Sequence, residues 1–277
     1  MYCGDKNIAD GMIMSLLSIM NHNEEPLSVY VLTLSYEQDG NSCEGLSPEF
    51  ANNLDEYLKS RNEKNSLKLI DASKEFLKMI PTPNLETRFT PGCMLRLFAD
   101  LLPEIPSRIL YLDNDVICRG DFSEFYNMDM KGAEVAGVLD RYGSWFFKRN
   151  ILKRDYLNSG VLLLDIAKIR ETGLFEKCRI RCRDKKMFMP DQSAINKLSN
   201  KKIIVPRKYN EQKKERNDTA FRHFTTTFRY FPYIRTQTVK PWNIDKLHDT
   251  LKTYEYDSLY EMFQNVKSEI SQTEKEI

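Results

Sequence analysis

The 277 residues carry 41 Lys and Arg against 40 Asp and Glu, for a net charge of +1. That balance speaks against nucleic-acid binding as the main activity, which would show a marked basic excess. The six cysteines (Cys3, Cys43, Cys93, Cys118, Cys178 and Cys182) lack the dense spacing of a disulfide scaffold and read as reduced thiols. Cys178 and Cys182 have no second pair with which to build a zinc site.

The length supports one full core, as one large domain or one domain with an appendage. Tyr2-Cys3-Gly4-Asp5 reads as the end of a strand, followed by a helix from Ile8 with Met12, Leu16, Ile19 and Met20 on one face. The apolar run Met12–Met20 is too short to span a bilayer and lacks the marks of a signal peptide, so a cytoplasmic protein is expected. Val29–Thr33 is a strand, and a loop with Gly40 and Gly45 leads to a helix from Pro48 to about Arg61 that Ser47 can cap. Leu67–Ile70 is the third strand. This β-α-β-α-β alternation predicts a parallel sheet with helices on both faces.

Past Thr90-Pro91-Gly92, residues Cys93–Leu102 are helical and carry Arg96. The strand Ile109–Leu112 runs into Asp113-Asn114-Asp115-Val116, and Glu134–Asp140 and Tyr156–Leu164 follow as further strands, separated by a basic and aromatic segment from Trp145 to Arg154. Asp165–Arg183 and Asp191–Leu198 have helical period, and Lys202–Val205 is a short strand. Glu211–Asp218 reads as a solvated charged loop, and Arg222–Trp242 has no helical period. From Ile244 the chain is helical, with Leu247, Leu251, Tyr254, Leu259, Met262 and Phe263 as a packing stripe.

Two carboxylates at i and i+2 point to the same side of an extended chain, so Asp113 and Asp115 converge where their strand ends. Such a pair is favourable when a divalent cation lies between them, although Asp and Asn are also ordinary turn residues. His223 offers a nitrogen, and two carboxylates with one imidazole suit Mn²⁺. Asp5, Asn7 and Asp140 also fall at strand exits, and in a parallel sheet these exits border one cleft.

Leu112-Asp113-Asn114-Asp115-Val116, Asn158-Ser159-Gly160-Val161-Leu162-Leu163, Pro190-Asp191-Gln192-Ser193, and His223 followed by Lys240-Pro241-Trp242 stand in the order seen in family 8 glycosyltransferases. Tyr2–Asn7 resembles that family's nucleotide-binding opening, and Arg96 matches its arginine before the acidic strand end. The resemblance runs from the N-terminus to about Trp242. It implies an α/β, Rossmann-like nucleotide-diphospho-sugar transferase fold of the glycosyltransferase A type, with a mostly parallel central sheet flanked by helices. Residues 1–243 would form the transferase domain and 244–277 a C-terminal helical extension.

The implied activity is retaining transfer of a hexose, glucose or galactose, from a uridine diphosphate sugar to a saccharide, glycolipid or other hydroxyl acceptor in cell-surface polysaccharide biosynthesis. A glycolipid acceptor would bring peripheral membrane contact. By matching position, Asp113, Asp115 and His223 would hold Mn²⁺, with Mg²⁺ as the other candidate. Asp5, Asn7, Arg96, Asp113, Asn114 and Lys240 would bind the donor, with Lys240 on the diphosphate. Asp140, Asn158, Asp191 and Gln192 would surround the transferred sugar. Gln192 is a poor nucleophile, which favours front-side attack over a covalent intermediate on Asp191.

Each of these residues also has a structural use: close packing for Gly160, a helix N-terminal acid for Asp191, a core amide for Asn158 and packing for Trp242. Two departures stand out. Few residues precede Asp5, so the first strand starts short or an upstream stretch is missing. Phe224–Val239 also separates His223 from Lys240 by more than is usual, which leaves His248 as the alternative ligand. The rivals are a haloacid-dehalogenase-like Mg²⁺ phosphatase built on Asp113 and Asp115, and a nucleotide-sugar-binding protein without turnover.

Overall fold

A computed structural model describes residues 1–38, 41–85, 91–141, 155–229 and 235–273. The strands are β1 (Tyr2–Gly4), β2 (Ser28–Thr33), β3 (Tyr36–Gln38), β4 (Asn41–Cys43), β5 (Ser66–Asp71), β6 (Arg108–Leu112), β7 (Val116–Cys118), β8 (Val135–Leu139), β9 (Leu157–Asp165), β10 (Lys202–Ile204), β11 (Phe221–His223), β12 (Thr227–Arg229) and β13 (Arg235–Gln237).

β1, β2 and β5 form a parallel sheet in the order β1-β2-β5, and a second sheet has the order β10-β8-β9-β6. Met1 joins the two. Its amino group donates to Leu110 O at 2.7 Å, and Leu112 N donates to Met1 O at 3.1 Å, a parallel pairing of β1 with β6. The expected parallel sheet holds except at β9, which runs antiparallel to both β6 and β8.

That reversal matters for the site. Asp140 N donates to Tyr156 O at 2.8 Å, so β9 begins beside the end of β8. It therefore brings its first residues, Asn158, Ser159 and Gly160, to the edge where β6 and β8 contribute their last. Every residue of β9 except Asp165 is buried, and its apolar run Val161–Leu164 is that of a strand covered on both faces.

Helix Ala9–Met20 lies on one face with Gly11 to Ile19 all buried, and it joins a core with Leu259, Phe263, Val266 and Ile270 of the helix Asp257–Thr273. The 3₁₀ segment Pro91–Leu101 and the helices Ile166–Thr172 and Leu174–Asp184 pack on the other face. Burying each large apolar side chain in these layers contributes about 1.5–3 kcal/mol. The helix Pro48–Arg61 starts where expected, with Ser47 Oγ accepting from Phe50 N at 3.0 Å.

Several expectations are corrected. Asp165–Arg183 is two helices rather than one, because Gly173 takes a left-handed φ of 66° and ends the first. The loop after β2 contains the β3–β4 hairpin. The charged run from Glu211 is not solvated throughout: Glu211 N donates to Phe221 O, His223 N donates to Glu211 O, and Glu211 is 1 % exposed. Its charge is met by Arg207, and Glu215 is met by Arg222 at 2.9 Å. Arg222–Trp242 holds the end of β11 and the antiparallel pair β12–β13. Leu251 and Tyr254 leave the C-terminal stripe and are exposed: a π turn at Leu247–Leu251 and the left-handed φ of 55° at Lys252 break the helical period of about 3.6 residues that would keep them in line. All six cysteines are free.

Candidate active site

A cleft of about 470 Å³ opens at the strand ends and is lined by Arg96, Asp113, Asn114, Asp115, Asp140, Asn158, Asp191, Gln192, His223 and Lys240, among others. Two strand pairings form its floor. β6 delivers Asp113, whose N donates to Gly160 O at 2.8 Å; β7 then pairs antiparallel with β11, which sets His223 opposite Val116. Phe224 N donates to Asp115 O at 3.0 Å, which keeps His223 beside the acidic pair, and further along the chain β12 pairs antiparallel with β13 before Lys240.

Asp113, Asp115 and His223 present ligand atoms that all lie within 4.8 Å of one another. His223 Nε2 stands 3.1 Å from Asp115 Oδ1 and 3.7 Å from Asp113 Oδ2. Asp115 Oδ1 is buried and, among the described residues, accepts no hydrogen bond of good geometry, which is the environment of an oxygen that shares a cation with its neighbours. Oxygen, oxygen and imidazole nitrogen together suit a divalent ion of the Mn²⁺ or Mg²⁺ kind, so the residues present fit such a group. Lys240 Nζ pairs with Asp115 Oδ2. Burial alone would push the Asp115 carboxyl up, but Lys240 and His223 outweigh it and hold it well below the usual carboxylate range.

Arg96, 2 % exposed, organises the next shell of contacts. Its guanidinium donates to Asp113 Oδ1 at 2.9 Å and to Ser159 O, pairs with Asp191 Oδ2 at 3.3 Å, and lies over the Tyr111 ring at 3.9 Å. Tyr111 OH donates to Asp113 Oδ1 at 2.6 Å. Burial pushes the Asp191 carboxyl above the usual range, with Arg96 opposing and Asp113 reinforcing. Gln192 Oε1 accepts from Ser159 N at 2.9 Å, while its Nε2 donates to Asp140 Oδ2 at 3.3 Å. Asn158 Nδ2 donates to the same oxygen at 2.9 Å.

Asp5 and Asn7 are not among the residues lining the cleft. Asp5 Oδ1 caps the short turn Lys6–Ile8 by accepting from Asn7 N at 2.9 Å, and Asn7 is exposed. His248 is also elsewhere, paired with Asp257 at 2.7 Å and set against the Tyr254 ring at a tilt of 32°. Trp242 packs over Gly11, where a Cβ would stand 2.5 Å from its ring. The basic and aromatic segment 145–154 lies outside the described residues, as do residues 230–234 of the Phe224–Val239 stretch.

Sequence reasoning did not single out Tyr111, Cys93, Ser159 or Gln212, which also line the cleft. Ser159 lies inside a motif already noted, whereas Tyr111 reads as strand core until Arg96 is seen against it. The cleft's thiols are no nucleophiles: burial pushes Cys3 up to about 12 and Cys93 well up too.

A model of glycosyl transferase family 8 matches residues 1–246. The chain belongs to that family and is an enzyme that transfers sugars, which sets aside both the phosphatase reading and the binding protein without turnover. It is 27 % identical to a lipopolysaccharide 1,2-glucosyltransferase of Escherichia coli (strain K12), over 91 % of this chain and 75 % of that protein. To a lipopolysaccharide 1,3-galactosyltransferase of Salmonella typhimurium it is 26 % identical, over 86 % and 71 %. Among solved structures it resembles the galactosyltransferase LgtC in complex with donor and acceptor sugar analogs, with a TM-score of 0.65 and 17 % identity over 95 % of this chain and 94 % of that one. The fold is accordingly of the glycosyltransferase A type. No helix of the described residues is long and apolar enough to cross a membrane.

Proposed function

We propose that this glycosyltransferase moves a hexose, glucose or galactose, from a uridine diphosphate sugar to a hydroxyl of a saccharide or glycolipid acceptor, with retention of configuration and with a divalent cation, Mn²⁺ or Mg²⁺. The observation that carries the reading is the convergence of Asp113, Asp115 and His223 within 4.8 Å in a cleft that also holds Lys240 and Arg96. The lipopolysaccharide transferases it resembles are named for glucosyl and galactosyl transfer, which supports a hexose donor.

In this reading Asp113, Asp115 and His223 hold the cation, which when bound supplies a Lewis acid that neutralises charge on the departing diphosphate. Lys240 adds its ammonium to that charge. Asp140, Asn158 and Gln192 take the sugar hydroxyls, and Arg96 keeps Asp113 and Asp191 in place. The carboxylates around the sugar pocket are engaged: Asp191 by Arg96 and Ser159, and Asp140 by Asn158 and Gln192. This favours front-side attack. The acceptor oxygen bonds to the anomeric carbon on the face from which the phosphate oxygen leaves, and the acceptor proton passes to that oxygen.

A panel of nucleotide sugars, assayed for hydrolysis with and without Mn²⁺, tests the proposal. Cation-dependent release of uridine diphosphate from one hexose donor is expected. Hydrolysis of none, or equal hydrolysis with the cation chelated, contradicts it.

A further inference from the structure

Asn210 was not singled out by the sequence, and it sits behind His223, fully buried, at the end of the turn Arg207–Tyr209. Its orientation follows from a group that has no choice. The Gly160 N–H can only donate, and it donates to Asn158 Oδ1 at 3.0 Å, while Asn158 Nδ2 reaches the Asp140 carboxylate at 2.9 Å. The Asn158 amide is therefore fixed, with its oxygen toward Asn210. Asn210 Nδ2 donates to that oxygen at 2.9 Å, which turns Asn210 Oδ1 toward His223 Nδ1, 3.1 Å away. An amide oxygen only accepts, so Nδ1 carries a hydrogen. In the neutral ring Nε2 then holds a lone pair, and Nε2 is the atom that faces Asp113 and Asp115.

We propose that Asn210 is a positioning residue for the cation site, its Oδ1 holding the His223 ring in the Nδ1–H form so that Nε2 presents its lone pair to the ion. This rests on the cation reading given above. Asp140, Asn158, Asn210 and His223 then form one continuous hydrogen-bonded string from the sugar pocket to the cation site. Partners that hold a ligand imidazole by its second nitrogen change metal affinity by about 10–100-fold when they are removed.

The test is Mn²⁺ binding, followed by electron paramagnetic resonance, to the full chain and to Asn210→Asp and Asn210→Leu. The Asp variant keeps an oxygen for the Nδ1–H but loses the hydrogen given to Asn158, whereas the Leu variant loses both. We expect binding weakened about 10–100-fold in Asn210→Leu and nearly unchanged in Asn210→Asp. Equal weakening in both would mean that only the bond to Asn158 matters, and unchanged binding in Asn210→Leu would mean that neither does; each overturns the role. Should Asn210→Leu fail to fold by circular dichroism, Asn210→Ala takes its place with the same expectation. A wild-type chain that binds no Mn²⁺ overturns the cation reading itself, whereas a wild type that binds beside variants that match each other overturns only the role of Asn210.

Discussion

Gly160 and His223 occupy adjoining space: a methyl group on the Gly160 Cα would stand 2.6 Å from His223 Nδ1 and 2.8 Å from Nε2, and closer still to Cε1. The glycine in Asn158-Ser159-Gly160 is thus the seat of the imidazole. Gly160→Ala is expected to push the ring off the acidic pair, weakening Mn²⁺ binding at least tenfold while costing about 1–3 kcal/mol of stability. Calorimetric Mn²⁺ titration beside urea unfolding checks both; unchanged affinity would show that the ring tolerates the shift.

Asp115→Asn removes a carboxylate that Lys240 and His223 both face. Cation-dependent donor hydrolysis is expected to fall by about 10²-fold or more, because charge stabilisation of a leaving group is worth that much at one contact. The far-ultraviolet circular dichroism spectrum should not change. Full activity in this variant would remove Asp115 from the site.

Arg96 ties Asp113, Asp191 and Ser159 together from a buried position. Arg96→Met leaves Asp191 buried without its cation and is expected to cost about 3–5 kcal/mol. Arg96→Lys keeps the charge but loses the planar fork and the stacking on Tyr111, so an intermediate loss is expected. Urea midpoints of the three proteins order them; a lysine variant as stable as wild type would show that charge alone suffices.

Glu134 sets a pH dependence away from the cleft. Burial would raise its carboxyl, but hydrogen bonds outweigh that and lower it below the ordinary 4.5; among them Ser199 Oγ donates at 2.8 Å and Asn200 N at 2.7 Å. With the folded value below the unfolded one, the contribution is fully present above pH 4.5 and is lost as pH falls through the folded value. Glu134→Gln should therefore melt lower than wild type at pH 7, with the gap closing below pH 4.5. A gap independent of pH would mean that the loss is one of packing.

Much of this arrangement was legible before folding. The apolar runs of β2, β5, β6, β8 and β9 are period signals that tertiary structure did not override, and the Asp113–Asp115 spacing marks one side of a chain whichever sheet it enters. Strand direction was not legible: nothing in Leu157–Asp165 distinguishes a parallel from an antiparallel buried strand, yet the antiparallel choice puts Asn158 beside Asp140. Nor was Asn210, because its neighbours Tyr209 and Glu211 carry no motif and its meaning arises only from the turn that aims it at His223. Glu211 and Glu215 look solvated because a charge run shows no partner until Arg207 and Arg222 fold against it.

The most direct measurement is the melting temperature with Mn²⁺ and uridine diphosphate hexoses, added separately and together. A ligand at a hundred times its Kd stabilises by about 2.7 kcal/mol, so the two together should raise the melting point by several degrees, while an Asp113→Asn, Asp115→Asn double variant should not respond. A melting point unchanged by every such donor, with Mn²⁺ or Mg²⁺ present, would contradict a nucleotide-sugar site built on Asp113, Asp115 and His223.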